Sequence, residues 1–509
     1  MATKSASSLY AKWKTDREPF LRRARECSAL TIPTLIPPEG HTGSSDLPTP
    51  WQSIGARGVN HLAAKMLMSL LPVNSPFFRY SIDDFTLEQL TQQEGMRAKV
   101  EEGLNKSERA VQNEIEASAV RVSSFEALKH LLTGGNILLY LPPEGGMRTF
   151  HLSRYVVRRD PMGNVLDIIV EEEIDRDVLP EAMQLPPEEG DKSDEPVKIY
   201  TWVKRVGRKW TVHQEVKDLM VPGSQGTYPL DKSPWIPVRF TKIDGENYGR
   251  GYVEEYLGDL KSLEGLQQAI VEGAAAAAKI LFLVNPNGVT DMDDLAKAPN
   301  GAFREGMEQD VTVLQLQKYN DFRVAAESVK EITERLSFAF LLNSSVQRTG
   351  ERVTAEEIRY VANELESALG GIYSILSQEF QLPLVKRIIY QMEKQKRLPI
   401  LPDKAVKPVI VTGLEALGRG NDLSKLEQFV GGLEAIPDAV SRINWGDYMT
   451  RRGTALGIDI KGLVKSDDQI AAEQQQQQMM ALAAQGLNPA ITQAGNLIKQ
   501  GMQNGEPPA

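Results

Sequence analysis

The chain has 509 residues, room for about three domains, and its 41% hydrophobic and 25% charged content is that of an ordinary globular protein. A net charge of −10 and a pI near 5.3 argue against a protein that grips nucleic acid by counterion release, though not against one that lets DNA slide past. One cysteine, Cys27, excludes an intramolecular disulfide and suggests a reducing compartment.

Residues 8–30 predict a helix with Leu9, Trp13, Phe20 and Leu21 on one face and many arginines on the other. Pro33, Pro37 and Pro38 stop it, and a Gly/Ser/Pro-rich loop follows to Pro50. Helix resumes after Trp51, with Ile54, Val59, Leu62, Met66 and Leu70 forming a stripe that ends at Pro72. Residues 76–82 alternate like a strand, and Thr86 to Ala119 predicts a long charged helix. Phe125 to Leu132 predicts another, broken by Gly134-Gly135 before a strand at Asn136–Leu141.

Residues 148–243 change texture, with β-rich runs at 155–159, 165–170, 197–205, 210–216 and 235–243 between turn signals. An acidic, proline-containing insert at about 179–196 predicts an exposed loop. Tyr252 to Ile280 then predicts one helix of about 40 Å at 1.5 Å per residue. It ends in Gly273, Ala274, Ala275, Ala276, Ala277 and Ala278, small residues that allow close approach of neighbouring helices in a ring, or simply a surface filled by helix propensity. The apolar run from Ala274 to Val284 is eleven residues long and carries Lys279, too short to span a bilayer. With no apolar signal core at the N-terminus, a soluble, unexported chain is expected.

Residues 281–317 predict short strands at 280–284, 301–304 and 311–316 in a small α/β unit. A second long helix, Asn320 to Leu342, places Phe322, Val329, Ile332, Leu336 and Phe340 on one side. There follows a polar loop, Gln347-Arg348-Thr349-Gly350 and Arg352, then a capping box in which the Thr354 hydroxyl takes an amide proton and Glu357 reaches back. The helix behind that cap is expected to run past Gly370-Gly371 and kink near Pro383. Residues 406–412 predict a strand, 414–436 a helix, and the Gln/Ala/Met-rich end one more helix and a disordered tail.

Catalytic and ligand motifs are missing from the sequence: it has no phosphate-binding G-x-x-x-x-G-K-[ST], no G-x-G-x-x-G after a strand, and no His/Cys metal cluster. His130, four residues after Glu126, pairs with it as a catalytic candidate, but a packing role is the simpler reading. Cys27 reads as a small buried residue, and Asp244–Gly251 as a tight turn into the long helix rather than a phosphate cradle. Asn343-Ser-Ser345 fits a glycosylation sequon, without meaning in an unexported chain. No enzyme, cofactor or metal is expected.

Particular segments resemble the portal, or head-to-tail connector, of short-tailed, podovirus-type bacteriophages. They are Thr49-Pro-Trp-Gln-Ser-Ile-Gly-Ala-Arg-Gly58, Phe125–Lys129 with Gly135–Tyr140, Gly249–Leu260, and above all Leu336–Phe340 running through Gln347–Tyr360. The similarity spans roughly residues 8–430. The resemblance implies an α+β, mainly helical chain assembled as a ring of about twelve copies around a DNA channel at one capsid vertex.

Residues 1–250 would be the wing with its β module, 251–280 and 319–342 the stem helices, and 281–318 the clip. Residues 343–353 would be the channel loop, 354–405 a kinked wing helix, and 406–509 the crown and Gln-rich tail. The implied partners are a terminase packaging motor, a tail adaptor, capsid and scaffolding proteins, and double-stranded DNA contacted non-specifically. No membrane is involved, and the place is the virion after assembly in the bacterial cytoplasm. Arg348 and Arg352 would touch phosphates, or else pair with nearby glutamates. The competing expectation is a soluble helical scaffold or adaptor that never meets DNA.

Overall fold

The computed structural model describes residues 5–72, 77–82, 96–180, 196–277, 281–314, 319–342, 368–401, 406–411 and 445–455, with a few positions elsewhere. Residues 1–81 and 108–416 form one compact unit, and 82–107 with 417–509 a second. In the second, helix Trp445–Ala455 carries Arg452, which pairs with Glu427 at 2.9 Å.

The larger unit begins with α1 (Ala6–Ala29), α2 (Ile54–Leu70) and β1 (Phe78–Ile82). Next come α3 (Met96–Ala117), of which only residues 108–117 belong to this unit, α4 (Val120–Gly134), β2 (Asn136–Tyr140) and β3 (Arg148–His151). The predicted β module is present as an antiparallel sheet of β4 (Tyr155–Arg159), β5 (Val165–Ile174), β6 (Val197–Val206) and β7 (Lys209–Val216). Short strands β8 (Leu219–Met220) and β9 (Gly226–Pro229) both pair with β7. β10 (Trp235–Arg239) does not join that sheet; it pairs with β2, register Trp235↔Tyr140, and β2 pairs with β3.

Side chains alternate across β4 and β5, which separates two cores. Val156 and Ile169 meet Ala6, Tyr10 and Trp13 of α1 on one side. Tyr155, Val157, Ile168 and Val170 join Leu21, Ala24, Leu138, Phe150 and Trp235 on the other. Arg17 stands between these two stretches of α1, and it is not on the solvated arginine face that periodicity predicts. It is 1% exposed, and its Nη1 donates to the carbonyls of Leu152, Ser153 and Tyr155 at 3.1, 2.9 and 2.9 Å. These carbonyls offset part of the cost of burying the guanidinium, although its Nε has no acceptor.

Three expected elements differ. The helix predicted over 252–280 is two, α5 (Tyr252–Glu255) and α6 (Leu257–Ala277), broken at Tyr256. The break turns Tyr252 and Tyr256 into a ring cluster with Phe340, at centroid separations of 6.1 and 6.0 Å. No strand forms at 301–304; the 281–314 unit holds instead β11 (Leu281–Val284), α7 (Met292–Lys297) and β12 (Val311–Leu314). α7 exists because the Asp291 side chain caps the amides of Asp293 and Asp294. After α8 (Tyr319–Ala339), the chain turns at Gly370, φ +51°, rather than continuing as helix. It restarts as α9 (Ile372–Leu376), widens into a π-turn at Ser377–Gln381, and runs on as α10 (Leu382–Lys394). Pro383 lacks an amide donor, and it falls in the first turn after the π-turn, where that donor is not needed by a continuing α-helix. β13 (Val406–Ile410) pairs with β1.

Candidate functional site

α6 and α8 form an antiparallel hairpin. Arg335 donates to Asp259 at 3.0 Å near one end, and Gly273 lies against Phe322 near the other. A Cβ on Gly273 would stand 2.4 Å from the Phe322 ring, so glycine is what lets the helices close there. The base of the hairpin is apolar: Leu257, Leu260 and Leu263 are buried on α6, Ile332 and Leu336 on α8, and Phe340 just past the end of α8. Further out α6 is largely uncovered, with Val271 and Ala274 to Ala276 exposed. Val324 and Phe338 on α8 are 62% and 77% exposed.

The two helices carry seven acidic and four basic side chains, so the hairpin is mildly acidic along its length. At its tip β11 pairs antiparallel with β12, Leu281↔Leu314 through Val284↔Val311. Asp310, at the start of β12, clasps the adjoining loop: its Oδ2 accepts from the amides of Val289 and Thr290 at 3.0 and 3.2 Å and from the Thr290 hydroxyl at 2.8 Å. Gly288 must be glycine, since a Cβ would sit 2.4 Å from the Asp310 carboxyl carbon. The clasp leaves Val289 and Phe303 fully or largely in solvent.

Residues 3–464 match the family model of the bacteriophage head to tail connecting protein. The chain belongs to this connector family. It is 45% identical to the portal protein of Escherichia phage T7, covering 99% of this chain and 94% of that one. To the portal protein of Enterobacteria phage T3 it is 46% identical, covering 94% and 91%. A solved chain from the virion of a native gene transfer agent particle aligns over 80% of this chain and 90% of its own, at 11% identity and a TM-score of 0.32. Its function is that of a phage portal.

Within this connector chain the predicted site residues fall into two groups. Gly273 packs inside its own hairpin against Phe322, whereas Ala274, Ala275 and Ala276 are exposed and Ala277 is half-buried. Ala278, the channel-loop residues Gln347, Arg348, Thr349, Gly350 and Arg352, and the cap residues Thr354 and Glu357 lie outside the described residues.

The Asp244–Gly251 turn is tied to the body by backbone and amide hydrogen bonds. Gly249 and Asn136 exchange two hydrogen bonds of 2.8 Å, and Asn247 accepts from the Arg159 amide at 2.8 Å. Cys27 is buried and its thiol is pushed up to about 12 by burial, an inert group. Among the described residues no cluster could hold a metal, and no helix is long and apolar enough to cross a membrane.

His130 and His151 stack with centroids 6.3 Å apart. Burial drives His130 down to about 3, helped by the neighbouring ring, and His151 down to about 4, helped by Arg154. The Glu126 carboxylate, 4.0 Å from His130, therefore faces a neutral imidazole, and the pair is no acid–base couple at neutral pH. Both folded values lie below the ordinary 6.5. Below that pH the unfolded chain binds protons that the folded chain refuses, so stability is full above it and falls as pH drops toward about 4. The slope reaches about 1.4 kcal/mol per pH unit for each ring. Melting temperature should fall between pH 7 and 5, and more gently in the His130→Gln/His151→Gln variant. Parallel curves would remove the histidines from the effect.

Proposed function

We propose that the chain assembles as a ring of about twelve copies, the conduit through which phage DNA enters and leaves the capsid. In this reading α5, α6 and α8 are the stem that lines the channel, and residues 281–318 are the clip that receives the terminase packaging motor and then the tail adaptor. Residues 1–250 are the wing, 343–353 the channel loop, 354–405 the wing helix, and 406–509 the crown toward capsid and scaffolding proteins. The protein is a virion component assembled in the host cytoplasm, and it carries out no chemistry of its own.

The observation that carries this reading is the half-covered antiparallel hairpin: buried at its base, acidic along its length, and apolar where neighbours in a ring would meet it. An acidic wall does not hold DNA, because local repulsion opposes phosphate contact. Arg348 and Arg352 supply the few charge-assisted contacts that a moving duplex needs. Electron microscopy of the purified protein tests the assembly: rings with a central hole are expected, and monomers or filaments would favour a scaffold or adaptor instead. The Arg348→Ala/Arg352→Ala protein should still form rings, while phage particles assembled with it retain severalfold less DNA. Normal DNA filling would remove the two arginines from the channel.

A further inference from the structure

One stripe of α2 and the turn before it reach both helices of the stem hairpin. The amides of Trp51 and Gln52 donate to the Glu264 carboxylate of α6 at 2.8 and 3.3 Å. The Gln52 side chain is fixed in turn, donating to Leu30 O at 2.7 Å and accepting from Gly55 N at 2.9 Å. Gly58 is the floor under Phe340, just past the end of α8: a Cβ there would stand 2.4 Å from the ring. One and two turns on, His61 Nε2 and Lys65 Nζ reach the Leu341 carbonyl at 3.1 and 3.3 Å. Positions 58, 61 and 65 share one face of a helix. Leu341 itself is held at φ +55°, a conformation that costs a non-glycine residue about 1 kcal/mol and persists only when its surroundings impose it.

We infer that residues 51–65 are a clamp that sets where the hairpin leaves the body, with Glu264, Gly58, His61 and Lys65 as its positioning residues. The clamp grips α6 through a carboxylate and α8 through a ring and a strained carbonyl, so the hairpin cannot tilt without breaking both. It explains why the Thr49–Gly58 segment reads as distinctive while carrying no chemistry. Only its consequence, the placement of a channel wall, rests on the portal reading; the grip is a property of the single chain.

Hydrogen exchange on the full-length protein tests the clamp. Glu264→Gln keeps the side chain's size but halves its acceptors, and Gly58→Ala drives a methyl into Phe340. Each should raise exchange in 257–266 and 335–342 by about tenfold, the equivalent of losing about 1.4 kcal/mol of local protection. Exchange in β5 and β6 should stay unchanged, which a general loss of stability would not allow. Phe340→Ala removes the two ring carbons that the new methyl strikes at 2.4 and 2.7 Å, so in the Gly58→Ala background it should cost less protection than the two changes added separately. Unchanged exchange in both single variants overturns the clamp, whatever the particles look like. Electron microscopy of the same samples reads the portal assignment separately: absence of rings in the unaltered protein defeats that assignment and leaves the exchange result standing.

Discussion

Glu379→Ala is expected to lower the stability of the larger unit by about 3–5 kcal/mol, the cost of removing one partner from a buried ion pair. Glu379 lies in the π-turn, and its carboxylate accepts from Arg239 Nε and Nη2 at 3.2 and 2.5 Å and from the Arg239 amide at 3.1 Å. Arg239 is 2% exposed, at the end of β10. Arg159 adds to the strain: burial and the charge of Arg239 lower it to about 10, while the Glu379 carboxylate pulls the other way. Without that carboxylate the buried Arg239 and the half-buried Arg159 lose the acidic group that offsets their mutual repulsion.

Glu379→Gln, which keeps an acceptor, should cost less than the alanine change. Glu172→Ala is the control, because Arg148 meets Glu172 at 2.6 Å with the arginine 61% exposed. Such a surface pair contributes at most about 1 kcal/mol. Urea unfolding of the three variants reads the difference, and equal losses at Glu172 and Glu379 would refute the buried-pair account. The same pair fixes the π-turn against β10, so its loss should also loosen the helix at Pro383.

Where local pattern and tertiary packing agreed, the sequence was readable. β4 to β7 showed as β-branched runs between turns, and α6 and α8 as apolar stripes, because each element buries one face at its own period. The break at Tyr256 was not readable: the apolar periodicity runs through it, and the interruption goes with packing on the ring of Phe340, which is distant in the chain. Gly370 and the π-turn were missed for a like reason, since one glycine and one proline in a helical pattern do not specify how the chain relieves them.

The candidate site divides the same way. Arg348 and Arg352 stood out as charge beside a cap, whereas Arg17 fell on an arginine-rich helix face, Arg239 and Arg387 drew no reading, and all three are about 2% exposed or less. Their carbonyl, carboxylate and aromatic partners lie far off in sequence, which no periodicity reports. Gly58 sat in a recognised segment, but only the Phe340 ring above it tells what the glycine is for.

Gly135→Ala should be among the most damaging single substitutions, above about 4 kcal/mol and able to prevent folding. Gly135 ends α4 at φ +71°, with its amide bonded to Leu131 O and its carbonyl accepting from Phe240 N at 2.9 Å. A Cβ there would lie 2.3 Å from the carbonyl carbon of Arg250 and 2.5 Å from the amide nitrogen of Gly251. Those atoms are backbone, so no rotamer change relieves them. Gly251 answers from the other side, where a Cβ would stand 2.7 Å from Thr133 O.

Two main chains thus cross in contact, one leaving α4 and the other entering α5 at the root of the stem hairpin. Gly207→Ala separates the two components of the cost. It has a similar φ of +60° with nothing within 4 Å of the added methyl, and should lose only the left-handed strain of about 1 kcal/mol. The gap between the two variants in urea unfolding measures the crossing alone. A Gly135→Ala protein no less stable than Gly207→Ala would mean that the α4 terminus can draw back from residues 249–251. The start of the hairpin would then not be fixed by this crossing, and its position would depend on the α2 clamp alone.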